Sequence, residues 1–368
     1  MTISPQSPHH PTTQTPQFSK SLAGGQKFPA AFYRGRRVLV TGGMGFIGSN
    51  LVMALVERGA RVTAVDSLAP GCGWRQTNLD PVRDQIDFRH CDMGDSARMR
   101  PVLAGQQVIF NLAGEISHLN SMTNPPRDLA INCEAQVRFL DLCRTENPAA
   151  TIIYASSRQI YGRPKYLPVD EAHPVHPVDY NGVHNHAAEH YHFLLRNQFQ
   201  MRTVCLRLGN IYGPRQGIHQ DCRGFIDTFV RRALVGEQIA VFGDGKQLRG
   251  MTYVDDAVDA FLRAGLAGAN SSPAYNVDHP APVSLWRLAE MLCRIAGSPP
   301  PRLTPFPPER QVIDIGDYYP NTEKFCREFG WVPRVGLEQG LRKTVEFFRT
   351  HGHHWLHNGL DADPHSVS

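Results

Sequence analysis

The stretch "RRVLVTGGMGFIGSNLVMALVERGARVTAVDSL", residues 36–68, constrains the fold more than any other part of the chain. A β-branched run leads into Gly42, Gly45 and Gly48 at GxxGxxG spacing. An apolar pattern at helical spacing follows, and a second β-branched run closes on Asp66. Residues without a Cβ let the backbone approach a pyrophosphate, and the helix behind them offers unpaired N–H groups and the positive end of its dipole. In this strand–turn–helix setting Gly42, Gly45, Phe46, Ile47 and Gly48 are expected to bind a dinucleotide. Asp66 lies where a carboxylate takes the adenosine ribose hydroxyls and repels the extra phosphate of NADP. No arginine directly follows it, so the expected cofactor is NAD.

Further runs repeat the alternation: "QQVIFNLAG", "AATIIYASS" and "MRTVCLRLGN" read as strands, with "DLAINCEAQVRFLDLCRTEN" as a helix between two of them. This pattern predicts an α/β fold, a Rossmann-type doubly wound parallel sheet with ligands at the carboxyl ends of its strands. After Asn210 the regularity loosens into a smaller C-terminal lobe. The expected organisation is a disordered leader at 1–33, an NAD-binding domain at 34–209, a mainly substrate-binding lobe at 210–350 with some strands returning to the sheet, and a flexible tail at 351–368. A formal charge of +4 in 368 residues gives no reason to expect nucleic acid. No run of about 18 apolar residues is present to span a bilayer, and the polar opening segment does not read as a signal peptide. Eight scattered cysteines without a CxxC fit free thiols in a reducing cytoplasm.

Four motifs then agree in order. "TGGMGFIG" resembles TGxxGFIG, and "CDMGDS" resembles an adenine-site segment. "FNLAGEISHLNS" resembles a strand whose small pair lies along the cofactor, and "ASSRQIYG" a serine motif. Together they resemble the extended short-chain dehydrogenase/reductase family, in its NAD-dependent nucleotide-sugar epimerase/dehydratase branch, from about Arg36 to Arg349. The resemblance implies Asp92 at the adenine, Ala113 along the cofactor and Ser157, four residues before Tyr161, at the reacting hydroxyl. It also implies a substrate that is a nucleotide-diphosphate sugar. Asn210 in "LRLGNIYGPRQ" and Arg249 in "QLRGMTYVDD" hold the places of diphosphate contacts, although Gly250 replaces the usual aspartate. Arg310 in "PERQVIDIGDYY" is a second clamp by a looser match. Guanidinium groups suit the task because they bind diphosphate oxygens bidentately and keep their charge when desolvated. Where the branch's 4,6-dehydratases carry an acidic pair after the serine, this chain has Arg158 and Gln159, which argues against a dehydratase.

The remaining question lies in "DYNGVHNHAAEHYH", residues 179–192. In the family a tyrosine moves the sugar hydroxyl's proton, and a lysine four residues on holds the nicotinamide ribose and lowers the tyrosine pKa. One register keeps a tyrosine and a basic partner, Tyr180 and His184. The other, set by the flanking Pro177 and Glu189, puts Asn181 and Asn185 in the two places. "NGVHN" resembles an Asn-Gly-Ile-Asn-Lys stretch in one branch of the family, with Asn185 for the lysine. The registers differ by about 100° around a helix. Only six lysines occur in the chain, and none lies between Tyr166 and Gly245. Lys165 would have to reach in from a loop.

Glu115 is a substitute base or, more simply, a loop anchor. His173, His176, His184, His186, His190 and His192 crowd one segment without a zinc-ligand pattern, so no metal is expected. The function expected is an NAD-dependent nucleotide-sugar epimerase with a non-standard Tyr/Lys region. The alternative is an NAD-binding pseudoenzyme or partner subunit, and a nucleotide-sugar reductase or decarboxylase ranks behind both. The resemblance further implies a homodimer through Asp128–Thr145 and Asn185–Asn197.

Overall fold

A computed structural model of the chain describes residues 29, 31–218 and 224–352. Six strands, β1 (Arg37–Thr41), β2 (Arg61–Asp66), β3 (Asp87–His90), β4 (Val108–Asn111), β5 (Thr151–Ser157) and β6 (Arg202–Leu208), are followed by four short ones. These are β7 (Asn210–Tyr212), β8 (Ala240–Phe242), β9 (Leu248–Arg249) and β10 (Met251–Tyr253). The chain then returns to the main sheet as β11 (Ala274–Val277) and ends its strands with β12 (Val283–Ser284) and β13 (Arg302–Thr304). The main sheet is wholly parallel in the order β11-β6-β5-β4-β1-β2-β3. Strand β1 pairs with both β2 and β4, so the order reverses there, the point where a doubly wound sheet takes its ligand.

Both faces of the sheet are covered, which is why its inner strands β1, β4 and β5 are near-continuous apolar runs, while the edge strand β3 is largely polar and exposed. Val38 and Val40 of β1 point into one core with Leu51, Val52 and Leu55 of α1 (Phe46–Glu57). Leu39 points into the other core. That second core is closed by α2 (Ser96–Leu103), α5 (Ala135–Glu146) and α6 (Tyr180–Phe199). Two short helices, α3 (His118–Thr123) and α4 (Pro125–Leu129), precede α5. The stretch expected as one helix is interrupted by a π-helical turn over Ala130–Glu134, which sets α5 off from α4. Helix α7 (Phe225–Leu234) belongs to the lobe, and α8 (Val254–Ala264) packs beside α1.

The lobe is built from small pairs, β10 with β7, β12 with β9 and β13 with β8. Single bridges join Val169 to Pro320 and Arg249 to Tyr318, so the late segment threads back across the ends of the main strands. Tyr33, placed in the expected leader, is part of the packed structure. Tyr33 is fully buried and its hydroxyl donates to the Leu262 carbonyl of α8 at 2.7 Å. The tail histidines beyond Gly352 and Cys222 lie outside the described residues; the other seven cysteines are free thiols. No described helix is long and apolar enough to cross a membrane.

Candidate active site

The glycine turn sits at the sheet's reversal point. Gly42 has φ +66°, and a Cβ there would lie 2.9 Å from the Ala113 nitrogen and the Leu112 carbonyl. A Cβ on Gly48 would lie 2.0 Å from the Gly42 oxygen. The turn is therefore pressed between the end of β4 and the first turn of α1, and only bare backbone fits. The Thr41 hydroxyl pins it, accepting from the Leu112 and Ala113 nitrogens and donating to the Asn111 side chain. Gly45 caps α1 with no side-chain acceptor, and Phe46 and Ile47 open the helix. Their N–H groups precede any intrahelical acceptor. Asp66 closes β2 and accepts from the Met44 and Leu68 nitrogens, each at 3.0 Å. Burial raises its pKa against the pull of those two N–H groups. Asp92 is exposed just past β3, its carboxylate turned onto the Gly94 nitrogen. A cradle that excludes any Cβ, the head of a helix and a carboxylate beside it fit a dinucleotide.

Helix α6 begins regularly. Asp179 caps it by accepting from the Gly182 nitrogen at 2.7 Å. Burial pushes the Asp179 pKa up, but the His118 hydrogen bond and charge, and the Gly182 N–H, leave it below the usual value. With no irregularity at the helix start, the one-residue offset between the two registers is a real difference in direction. Tyr180 is 45% exposed, whereas Asn181 and Asn185 are 2% and 8% exposed. The Asn181 amide donates to the Glu115 carbonyl and to Asp128, and Asn185 donates back to Asn181 and accepts from the Tyr154 hydroxyl. His184 Nδ1 is 2.6 Å from Asp128. Tyr180 and His184 meet only as tilted rings, 6.2 Å between centroids. No hydrogen bond or ring contact joins Tyr180 to Ser157 among the described residues.

A buried network holds this face in place. Glu189 of α6 takes both arms of Arg207 from β6 and the Ser156 hydroxyl of β5. Arg207 also donates to Tyr161, which donates to Asn276. Burial would lower the Arg207 pKa, but the Glu189 carboxylate overrides it and the net shift is upward. Glu115 is buried with its carboxylate on the Ile116 and Ser117 nitrogens, which is the anchoring role rather than that of a free base. The Lys165 side chain is exposed, and its backbone nitrogen donates to His173.

The side expected to take the substrate assembles from five segments. The Ser157 hydroxyl, at the end of β5, accepts from the Gln159 nitrogen. Arg158 donates to the side-chain oxygens of Gln159 and Asn210, each at 3.2 Å, and lies over the Tyr318 ring. Arg249 is 5% exposed, donates to the Leu248 and Gly316 carbonyls, and meets its nearest carboxylate, Asp314, at 3.8 Å. Burial, and then the Arg158 charge, hold its pKa down at about 10. A Cβ on Gly250 would lie 2.4 Å from Asp278 Oδ2, so Asp278 fills the space of the expected aspartate. Burial raises the Asp278 pKa to about 7 despite hydrogen bonds from Thr252 and the His279 nitrogen. Arg310 lies over the Phe242 ring, 5.6 Å from its centroid, on a short helix (Pro308–Gln311).

The sequence pattern of the NAD dependent epimerase/dehydratase family matches residues 38–278, from β1 through the end of β11. The chain belongs to this family. UDP-glucose 4-epimerase of Mycolicibacterium smegmatis is 35% identical over 324 residues, covering 85% of this chain and 98% of that protein. UDP-glucuronic acid decarboxylase 1 of Xenopus tropicalis is 29% identical over 348 residues, covering 92% of this chain and 79% of that one. The crystal structure of Thermotoga maritima UDP-glucose 4-epimerase with UDP-glucose superposes with a TM-score of 0.78 at 30% identity, covering 86% of this chain and 99% of that one.

As a member of the epimerase/dehydratase family the chain uses NAD, and the glycine turn with Asp66 is the part that fits it. Several residues of the site were missed by sequence reasoning. Asn132, in the π-helical turn, brackets Glu115 by accepting from its nitrogen and donating to its carbonyl. Asp128 joins Asn181 to His184. Asp278 and the Glu189–Arg207 pair complete the list. Asp128 carried a local signal, an acid two residues after "NPP" at a helix start, and Glu189 marked the register of α6; the roles of the others depend on contacts distant in sequence. Among the described residues no group of three or more His, Cys, Asp or Glu is placed to hold a metal. His186 and His190 face each other at 3.2 Å, while His192 is buried against Tyr154.

Proposed function

We propose that the chain is an epimerase-type NAD-dependent oxidoreductase acting on a nucleotide-diphosphate sugar. The observation that carries this reading is the convergence of Arg158, Asn210 and Arg249 beside Ser157. Two guanidiniums share that space, and the carboxylate nearest Arg249, Asp314, stands off at 3.8 Å, which suits an anionic diphosphate. NAD, when bound, supplies the hydride acceptor and donor. Ser157 holds the reacting hydroxyl. The amides of Asn181 and Asn185 do not exchange protons at neutral pH, so they orient rather than act as the base. His184 is the better candidate for the proton. Asp128 fixes its ring through Nδ1, and on this reading Nε2 meets the substrate. Tyr180 stands beside it, half exposed. Arg158 and Gln159 give no acid/base pair for eliminating water, which supports epimerisation over dehydration. The working unit on this reading is a homodimer, in which exposed Leu129, Val137, Val183 and Leu194 are covered by a second copy.

The test is to release and identify the bound cofactor, then follow absorbance at 340 nm and product stereochemistry with a panel of nucleotide sugars. Conversion to an epimer with no net NADH supports the proposal. The second reading, a pseudoenzyme, is favoured by one feature, the buried and mutually hydrogen-bonded Asn181 and Asn185. It wins if NAD and a nucleotide sugar bind and neither hydride transfer nor epimer is detected.

A further inference from the structure

Helix α6 has an outer face that the proposed chemistry does not use. The only Asp, Glu, Lys or Arg residues in Tyr180–Phe199 are Glu189 and Arg196. Glu189 is buried against Arg207, and Arg196 turns inward to the Thr203 and Ala269 carbonyls. What the outer face offers instead is Val183 and Leu194, 46% and 53% exposed, with half-buried His186 and exposed His190 between them. A solvated helix face is normally charged, and depletion of charge marks a face that is covered. The two imidazoles turn towards each other, Nε2 to Nε2 at 3.2 Å, with their ring planes 79° apart. Phe193 packs edge-on against His190. Two imidazole nitrogens on one tetrahedral zinc ion, each about 2.0–2.1 Å from it, lie about 3.3 Å apart. The pair has that spacing.

Two ligands are half of a site, and no third His, Cys, Asp or Glu joins them among the described residues. A second copy of the chain supplies the other half. Val183 stands three residues before His186 and Leu194 four after His190, so the pair lies at the middle of the apolar stripe. In a twofold dimer the same patch meets itself. Two α6 helices crossing antiparallel at the middle of the stripe bring their imidazoles to one point and lay each Val183 against the partner's Leu194. On the homodimer proposed above, on which this rests, we propose that His186 and His190 of both chains bind one divalent transition cation of the zinc type on the twofold axis. Imidazole suits such cations, whereas Mg²⁺ and Ca²⁺ take oxygen ligands. The cation staples together the outer faces of two helices whose buried faces carry Asn181, His184 and Asn185.

The test uses the full chain after treatment with a chelator. Sedimentation measures the monomer–dimer equilibrium with and without Zn²⁺, and calorimetry counts the Zn²⁺ bound, in the wild type and in the double variant His186→Asn, His190→Asn. Both proteins keep every other histidine, so their difference isolates the α6 pair. The wild type is expected to bind one Zn²⁺ more per two chains than the variant. Zn²⁺ is expected to tighten the wild-type dimer at least about 10-fold and to leave the variant unchanged. Co²⁺ in the same place is expected to show the visible absorption of a tetrahedral site in the wild type alone. If the double variant does not fold, His190→Asn by itself, at an exposed position, carries the same comparison. The inference is overturned by a difference of one Zn²⁺ per chain, which would make the pair a surface chelate, by no difference, or by equal tightening in the variant. A chain that sediments as a monomer with and without Zn²⁺ overturns the dimer reading itself. A dimer indifferent to Zn²⁺ overturns only the cation.

Discussion

The glycine turn and the head of α6 stand at the same end of the sheet and differ in what they ask of the sequence. In the turn, the chemistry belongs to the backbone. Gly42 and Gly48 are required because a Cβ has no room, and on the proposed reading the N–H groups of α1 meet the pyrophosphate. In α6 the chemistry belongs to side chains, and a step of one residue turns a group from cleft to solvent. Tyr180 is out while Asn181 is in. A backbone device tolerates drift around it; a side-chain device can be rewritten without disturbing the fold. On the proposed reading, the cofactor half of this protein keeps the family's form and the proton-handling half does not.

That contrast can be broken in four ways. The largest expected effect comes from restoring the altered half. Asn181→Tyr with Asn185→Lys should raise the hydride-transfer rate about 10²- to 10⁴-fold, the usual contribution of a positioned general base. Single-turnover absorbance at 340 nm measures it, and no gain would mean that the helix is not where activity is limited. Next is the anchor of α6. Glu189→Gln leaves Arg207 buried without its carboxylate and should cost about 3–5 kcal/mol of stability. A denaturant titration with a loss under about 1 kcal/mol would show that the network does not hold the helix.

Third, Gly48→Ala forces a Cβ against the Gly42 oxygen and should cost about 1–3 kcal/mol. Because the strain falls on the cradle, NAD affinity should drop with it, by calorimetry. A stable variant with unchanged affinity would refute the tight-cradle account. The smallest net effect is with pH, because two buried groups oppose one another. The folded Asp278 pKa of about 7 lies above its ordinary value of 3.8. Its share of stability is thus full below about pH 4 and is lost as pH rises towards 7. His192 has a folded pKa of about 3 against an ordinary 6.5, because burial disfavours its charged form. Its share is present above about pH 6.5 and is lost as pH falls. Asp278→Asn should unmask a stability that rises with pH between about 4 and 6.5, and His192→Phe one that falls. Thermal melts across that range check the signs; the same slope in both variants would contradict the assignment.

Much of the fold was legible because it repeats. The β-branched runs, the glycine spacing and Asp66 are local patterns, and each local pattern matches one element of the sheet. Tyr33 was misplaced in the leader because its partner, Leu262, is distant in the chain. The π-helical turn was missed because its residues, Ala130–Glu134, carry an ordinary helical pattern. In the site, Ser157, Asn210 and Arg249 could be named from motifs. Asp278 could not, because the residue that makes room for it is Gly250, and the two meet only when β11 returns beside β6.

The sequence by itself determined a dinucleotide-binding α/β sheet, since steric exclusion at the glycines and the period of the apolar residues act over a few neighbours at a time. Only the tertiary structure decided which side of α6 is buried, which carboxylates hold His184 and Arg207, and that Arg158 meets Asn210 from a distant strand. Those outcomes depend on burial, and burial is set by chain segments that sequence order keeps far apart.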